Sequence, residues 1–235
     1  MDEGLQEQRF IVIGAGVMGH GIAQVAAMAG YETILTDMNK DALDRGLAHV
    51  RANLDKGVDR GKVSAEQREA ALANLSGSTD LEEVVRSASV VIEAIPEVLE
   101  LKTNLFAMLD RLAPTDALLG SNTSSLSITA IAAATQHPER VIGMHFFNPV
   151  HILKLLEIVT ALQTSPETLA RAQAIGEALG REMIVVRDSP GFATSRLGLV
   201  LGLEAIRMLE SGVASAEDID RAMELGYRHP MGPLK

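Results

Sequence analysis

The sequence predicts a doubly wound α/β fold, a mainly parallel sheet with helices on both faces, followed by a smaller all-helical domain. Three observations carry this. Short apolar runs alternate with helix-like segments as far as residue 187. The first run opens into a glycine-rich turn and then a helix. After RDSPG, 187–191, the pattern is helical only. The implied domains are 1–187 and 188–235.

Each element has its own signal. Phe10 to Ile13 has the length and apolarity of a buried strand, and GAGVMG follows it. Thr33 to Thr36 is a second strand, ending in Asp37. Asn39 to Lys56 reads as a helix with Asn39 as its N-cap. Ser64-Ala-Glu-Gln starts another with a capping-box pattern. These two helices are expected as a long insertion between the second and third strands. Val90-Val-Ile-Glu-Ala-Ile is the next buried strand. Glu97 to Leu112 is helical, and Pro114 ends it. Ala117 to Gly120 is a short strand leading into SNTSS, and Ser127 to Ala134 is a helix. Val141 to Met144 is a strand running into His145, and Leu155 to Val159 is another. Pro166 to Leu179 is a helix with Pro in its first turn, and Met183 to Val186 is the last strand. Helices then run to about Glu210 and from Ala216 to Leu225.

Composition narrows the function. Apolar residues make up 47% of the 235, enough for a sizeable core, but aromatics are only 3%. That core must be aliphatic. A net charge of −10 argues against a general nucleic-acid or anionic-membrane binder. With no Cys, disulfides, thiolate catalysis and Cys-ligated zinc are excluded, and no metal site is expected. The opening MDEGLQEQ is neither a signal nor a transit peptide, and no apolar run approaches the length of a membrane span. The expectation is a soluble cytoplasmic protein. Lys40, Arg45, Arg51, Lys56, Arg60 and Lys62 read mostly as solvated helix charges.

Gly14, Gly16 and Gly19 match G-x-G-x-x-G, with a strand before, a helix after and Asp37 at the end of the next strand. Gly14 allows the tight turn, Gly16 the approach of a pyrophosphate, and Gly19 close helix–strand packing. The helix N-terminus offers N–H groups and positive potential to phosphate. Gly14, Ala15, Gly16, Val17, Met18 and Gly19 are therefore the candidate pyrophosphate loop of a Rossmann-type domain. Asp37 would accept from an adenosine ribose and repel a 2′-phosphate, so NAD is favoured over NADP. A glycine turn without a ligand, or an FAD or other nucleotide site, is the alternative.

Ligand sites in open parallel sheets lie beyond the carboxyl ends of the strands, where Glu97, Ser124, His145 and Asn148 fall. Hydride transfer from an alcohol needs a base for the hydroxyl proton, and His is the usual choice near neutral pH. Glu157, at the start of the following strand, is a reasonable partner for it. Phe146 and Phe147 read as packing residues, and His151 as a loop histidine. His20, His49, His137 and His229 show no partner pattern. Ser124 has a structural alternative, capping a helix that begins near Ser125. The serines and threonines of 121–125 form no Ser-His-Asp motif, which rejects a hydrolase.

The segments GAGVMGHGIAQVAAMAG, VIEAIPEVLELK, SNTSSLSI, VIGMHFFNPV, KLLEIV, DSPGF and HPMGPL span almost the whole chain. In that order they resemble the 3-hydroxyacyl-CoA dehydrogenase family, and within it the bacterial 3-hydroxybutyryl-CoA dehydrogenases. The resemblance implies an NAD-dependent enzyme acting on an acyl-CoA substrate, and a homodimer if the full C-terminal domain is present. It implies that His145 is the general base for oxidation and the acid for reduction, with Glu157 its partner. It implies that Ser124 hydrogen-bonds the substrate oxygen near the nicotinamide and that Asn148 holds cofactor and substrate. Glu97 and Lys102 would contact the cofactor. Ser195 stands where many members carry Asn, which bears on the substrate-carbonyl contact. The family's helical domain is longer than residues 188–235, so this one reads as truncated. Two other readings stand beside this one: a relative acting on a small hydroxy acid or sugar acid without CoA, and a non-catalytic NAD-binding protein.

Overall fold

The computed structural model describes residues 8–235. Apart from Gln8, the segment MDEGLQEQ and its expected lack of a targeting role lie outside the described residues. The chain divides into two compact units, one ending at Asp188 and the other formed by Ser189–Lys235.

The first unit is built on an eight-stranded sheet in the order β3-β2-β1-β4-β5-β6-β7-β8. Strand β1 (Arg9–Ile13) is flanked by β2 (Glu32–Thr36) and β4 (Val90–Glu93), both parallel to it. Next come β5 (Leu118–Ser121) and β6 (Val141–Phe146), also parallel. The direction then reverses. Strand β7 (Leu155–Thr160) is antiparallel to β6, and β8 (Glu182–Arg187) is parallel to β7. Strand order turns back between β1 and β4, which opens a crevice at their carboxyl ends.

Helix α1 (Val17–Ala29) starts at Gly16 and stops at Gly30, whose φ of 101° needs a glycine. It carries eight buried residues, mostly small, so it lies close on the sheet. A methyl group at Gly19 would run into the carbonyl oxygen of Gly14, so helix and turn can meet only at glycine. Helix α2 (Lys40–Asp59) is capped by Asn39, whose side chain accepts from Ala42 N–H. Helix α3 (Ala65–Ala73) has both halves of the Ser64–Gln67 capping box.

Two elements here differ from expectation. Leu75–Ser78 forms an edge strand, β3, and Leu81–Val85 a short helix, α4. The sequence LSGS has no apolar alternation and is a strand only because β2 offers it a parallel ladder. The strand at Val90 is therefore the fourth. Helix α5 (Leu99–Leu112) follows β4, and α6 (Ile128–Ala132) follows β5. Ser127 caps α6 by accepting from Ala130 N–H, which removes capping as the role of Ser124. Helix α7 (Pro166–Ala178) returns the chain to β8. Strand β6 runs on through His145 to Phe146, beyond the expected end at Met144.

The core holds Val12, Ile22, Leu35, Ile92, Ile142, Met144 and Leu156, with Phe10, Tyr31 and Phe146 as its aromatics. The second unit contains α8 (Thr194–Glu210) and α9 (Ala216–Arg221), with one π turn at Ala222–Gly226. Ser195 lies in the first turn of α8.

Candidate active site

The dinucleotide-type loop is built as its spacing requires. Gly14 has φ 97°, and a side chain there would meet the Ala94 carbonyl at 2.7 Å. Gly16 faces open space, with nothing within 4 Å of where a Cβ would stand. No side chain caps the start of α1, so its first turn keeps the positive end of the helix exposed to an anion. Asp37, at the end of β2, accepts from Ala15 N–H at 2.9 Å through one oxygen and from Asn39 N–H at 2.9 Å through the other. Each oxygen keeps a second lone pair for a ribose hydroxyl. These features fit a dinucleotide.

Beside this loop is a cavity of about 360 Å³. It is lined by Met18, Ala94, Ile95, Glu97, Lys102, Asn122, Ser124, His145, Phe146, Phe147 and Asn148. The carboxyl ends of β4, β5 and β6 thus deliver His145, Ser124, Asn148 and Glu97 to one place, and the first turn of α5 adds Lys102.

His145 and Glu157 meet because β6 and β7 are antiparallel. The register sets them directly opposite, so their side chains share one face. His145 Nδ1 lies 2.7 Å from Glu157 Oε2. His145 is 6% exposed and Glu157 is fully buried. A carboxylate accepts, so in a neutral ring Nδ1 carries the hydrogen and the other nitrogen the lone pair. Phe147 packs its ring against His145 at 4.4 Å between centroids. Of the two expected packing residues, Phe146 is in the core, whereas Phe147 is half-buried at the cavity wall. The Asn148–Pro149 peptide bond is cis.

On the opposite side, charged and hydroxyl groups interlock. Lys102 is 1% exposed, and its ammonium donates to Glu93 at 2.5 Å and to the Ile95 carbonyl at 3.2 Å. Glu97 Oε2 stands 3.3 Å from it. The other oxygen of Glu97 accepts from the Thr123 hydroxyl at 2.6 Å and from Ser124 N–H at 2.9 Å. Partial burial opposes the charge on Glu97, but those hydrogen bonds and Lys102 outweigh it and hold the carboxyl below its usual range. Glu97 is therefore ionised at neutral pH.

Glu93 and Asn122 are not among the residues that sequence reasoning singles out. Asn122 lines the cavity, and its side-chain oxygen accepts from Phe146 N–H at 2.8 Å, tying the 121–125 loop to the strand end beside His145. A signal for Glu93 does exist: an acid at the end of the otherwise apolar strand VVIE, nine residues before Lys102.

The other histidines lie elsewhere. His151 is exposed beside a separate depression with Met28 and Arg181. Partial burial and then the charge of Lys56 hold its ring below the usual value. The rest make local contacts, and none of them lines the cavity. His20 bonds the Gly16 carbonyl at 2.8 Å and stacks on His49 at 5.2 Å. His137 meets Asp110 at 3.2 Å, and His229 meets the Met231 carbonyl at 2.6 Å. Among the described residues, no cluster of three or more His, Asp or Glu could hold a metal ion. Nor is any helix among them long and apolar enough to cross a membrane.

Residues 9–189 match the family described as "3-hydroxyacyl-CoA dehydrogenase, NAD binding domain", and residues 191–235 match its C-terminal domain. A probable 3-hydroxybutyryl-CoA dehydrogenase of Bacillus subtilis (strain 168) is 44% identical over 230 residues, covering 98% of this chain and 80% of that protein. The mitochondrial hydroxyacyl-coenzyme A dehydrogenase of Homo sapiens is 42% identical, covering 95% of this chain and 73% of its own. The crystal structure of (S)-3-hydroxybutyryl-CoA dehydrogenase from Ralstonia eutropha superposes with a TM-score of 0.92 at 39% identity, covering 97% and 80%.

Proposed function

The chain belongs to the 3-hydroxyacyl-CoA dehydrogenase family, and from that premise we propose that it interconverts an L-3-hydroxyacyl-CoA and its 3-ketoacyl-CoA with NAD, using His145 and Glu157 as the acid–base pair. The observation that carries this reading is the buried 2.7 Å contact between them at the wall of a cavity adjoining the glycine loop.

The geometry supports the following roles. Glu157 accepts the Nδ1 hydrogen and fixes the tautomer, so the other nitrogen of His145 removes the hydroxyl proton of the alcohol. As the ring becomes imidazolium, the Glu157 carboxylate stabilises the charge at short range in a buried site. In reduction the same nitrogen returns the proton. Bound NAD supplies the hydride acceptor. Gly14, Ala15, Gly16, Val17, Met18 and Gly19 hold its pyrophosphate, and Asp37 its adenosine ribose. Ser124 and Asn148 orient the reacting oxygen and the nicotinamide end, with Glu97 and Lys102 on the cofactor side of the cavity. Where the full C-terminal helical domain is present, the assembly is a homodimer, tested by sedimentation, and its compartment is the cytoplasm.

The test is acetoacetyl-CoA-dependent oxidation of NADH. Turnover that His145→Gln abolishes while NADH still binds supports the assignment. NADH binding without turnover of any 3-ketoacyl-CoA removes it, and activity on free hydroxy acids alone transfers the site to a different substrate class.

A further inference from the structure

Glu93 is a fully buried carboxylate beside the cavity that the mechanism above does not use. It does not line the cavity. Its hydrogen bonds instead form part of a closed ring of side chains. One oxygen accepts from the Lys102 ammonium at 2.5 Å and from Ile95 N–H at 2.7 Å. The other accepts from the Ser121 hydroxyl at 2.7 Å. Ser121 Oγ in turn accepts from Thr123 N–H at 3.3 Å, and the Thr123 hydroxyl reaches Glu97 at 2.6 Å. Glu97 returns to Lys102 at 3.3 Å, which closes the ring.

We propose that Glu93 is a positioning residue for the reaction: through Lys102 and Ser121 it fixes Glu97 and the 121–125 loop, and so sets where Ser124 stands opposite His145. The proposal rests on the function proposed above. Two features favour it over a purely structural ion pair. Both branches of the ring converge on the same side chain, Glu97, whose Oε1 accepts from Ser124 N–H at 2.9 Å and stands 3.3 Å from its hydroxyl. The loop so held also carries Asn122, whose side chain holds Phe146 N–H next to His145. Glu93 therefore lies behind both walls of the cavity. Without its charge, Lys102 keeps one carboxylate partner, Glu97, and draws it away from Ser124.

The experiment compares wild type with Glu93→Gln, Lys102→Met, the double variant and Ser121→Ala, reading kcat and KM with acetoacetyl-CoA and NADH, together with the thermal midpoint. Glu93→Gln is expected to lower kcat about 30- to 100-fold, because small misplacements of reacting groups act on the chemical step, while both KM values stay within about threefold. The double variant removes both charges and recovers the thermal midpoint but not kcat. Ser121→Ala, which deletes one link and leaves the ion pair, lowers kcat about fivefold with KM unchanged, and it decides the matter should Glu93→Gln fail to fold. A Glu93→Gln or Ser121→Ala enzyme with wild-type kcat overturns the proposal. So does a double variant whose kcat returns with its midpoint. A wild-type protein that turns over no 3-ketoacyl-CoA removes the functional reading itself and this proposal with it. That failure is told apart because it is seen in the wild type, before any variant is compared.

Discussion

Two buried charge clusters sit at opposite ends of the same sheet. At the carboxyl ends, Glu93, Lys102, His145 and Glu157 are all nearly inaccessible. At the amino end of β6, Arg140 is 5% exposed and Asp110 8%. Arg140 donates to the Asp110 carbonyl at 2.7 Å and to its carboxylate at 2.9 Å, and also to the Pro114 carbonyl. Asp110 further accepts from Gln136 N–H at 2.8 Å. This second cluster welds the end of α5 to the entry of β6 and adjoins no part of the cavity. Burial and pairing are alike in the two clusters. What differs is position relative to strand direction: only the first cluster lies at the carboxyl ends of the strands beside the cavity, where open sheets bind ligands.

Variants at the two ends should therefore fail in different ways. The largest effect is expected from His145→Gln: kcat falls about 10⁴-fold, about 5 kcal/mol of barrier, with thermal stability and NADH binding retained. Arg140→Met leaves Asp110 buried without its cation and should cost about 3 kcal/mol of unfolding free energy, read by denaturant titration, with KM unchanged. Acid should expose the same contrast. Burial opposes the Asp110 charge, but Gln136 N–H, Arg140 and His137 outweigh it and hold the carboxyl below its ordinary 3.8. Its contribution is complete above that value and is lost as pH falls through the lower native one, so Asp110→Asn flattens this part of the acid limb. Glu157→Gln should lower kcat about 100-fold, about 2.7 kcal/mol, in a steady-state assay. Asp37→Ala should weaken NADH binding about tenfold, about 1.4 kcal/mol, by fluorescence titration. His151→Ala should leave kcat and KM within about twofold. A loss there, or a kcat defect in Arg140→Met larger than its stability loss explains, would erase the distinction between the two ends.

Only one side of this contrast is legible in the sequence, where neither Arg140 nor Asp110 stands out. GAGVMG, the strand before it and Asp37 after it specify a nucleotide loop because each glycine answers a separate steric demand. HFFNP and LLEIV disclose the His145–Glu157 pair, but not how it is made. The reversal at β7 is not among the expectations, although the connection 147–154 is too short for a crossover helix and so requires an antiparallel return. Strand β3 is illegible for a different reason. Its only warrant is tertiary: Gly77 lies against Leu43 and Leu47 of α2, whose terminal methyl groups a Cβ there would have to displace. The ring around Glu93 joins residues 93, 97, 102, 121 and 123 from separate elements. No local pattern announces such a closure; it exists only once β4 and β5 are paired.

The bond from Ala15 N–H to Asp37 has a consequence for redesign. Replacing Asp37 to admit a 2′-phosphorylated cofactor would do more than remove a repulsive charge. It would also release the amide that keeps the glycine turn in shape, so a single change of preference would arrive with a loosened grip on every dinucleotide. The same carboxylate thus ties the end of β2 to the shape of the glycine turn.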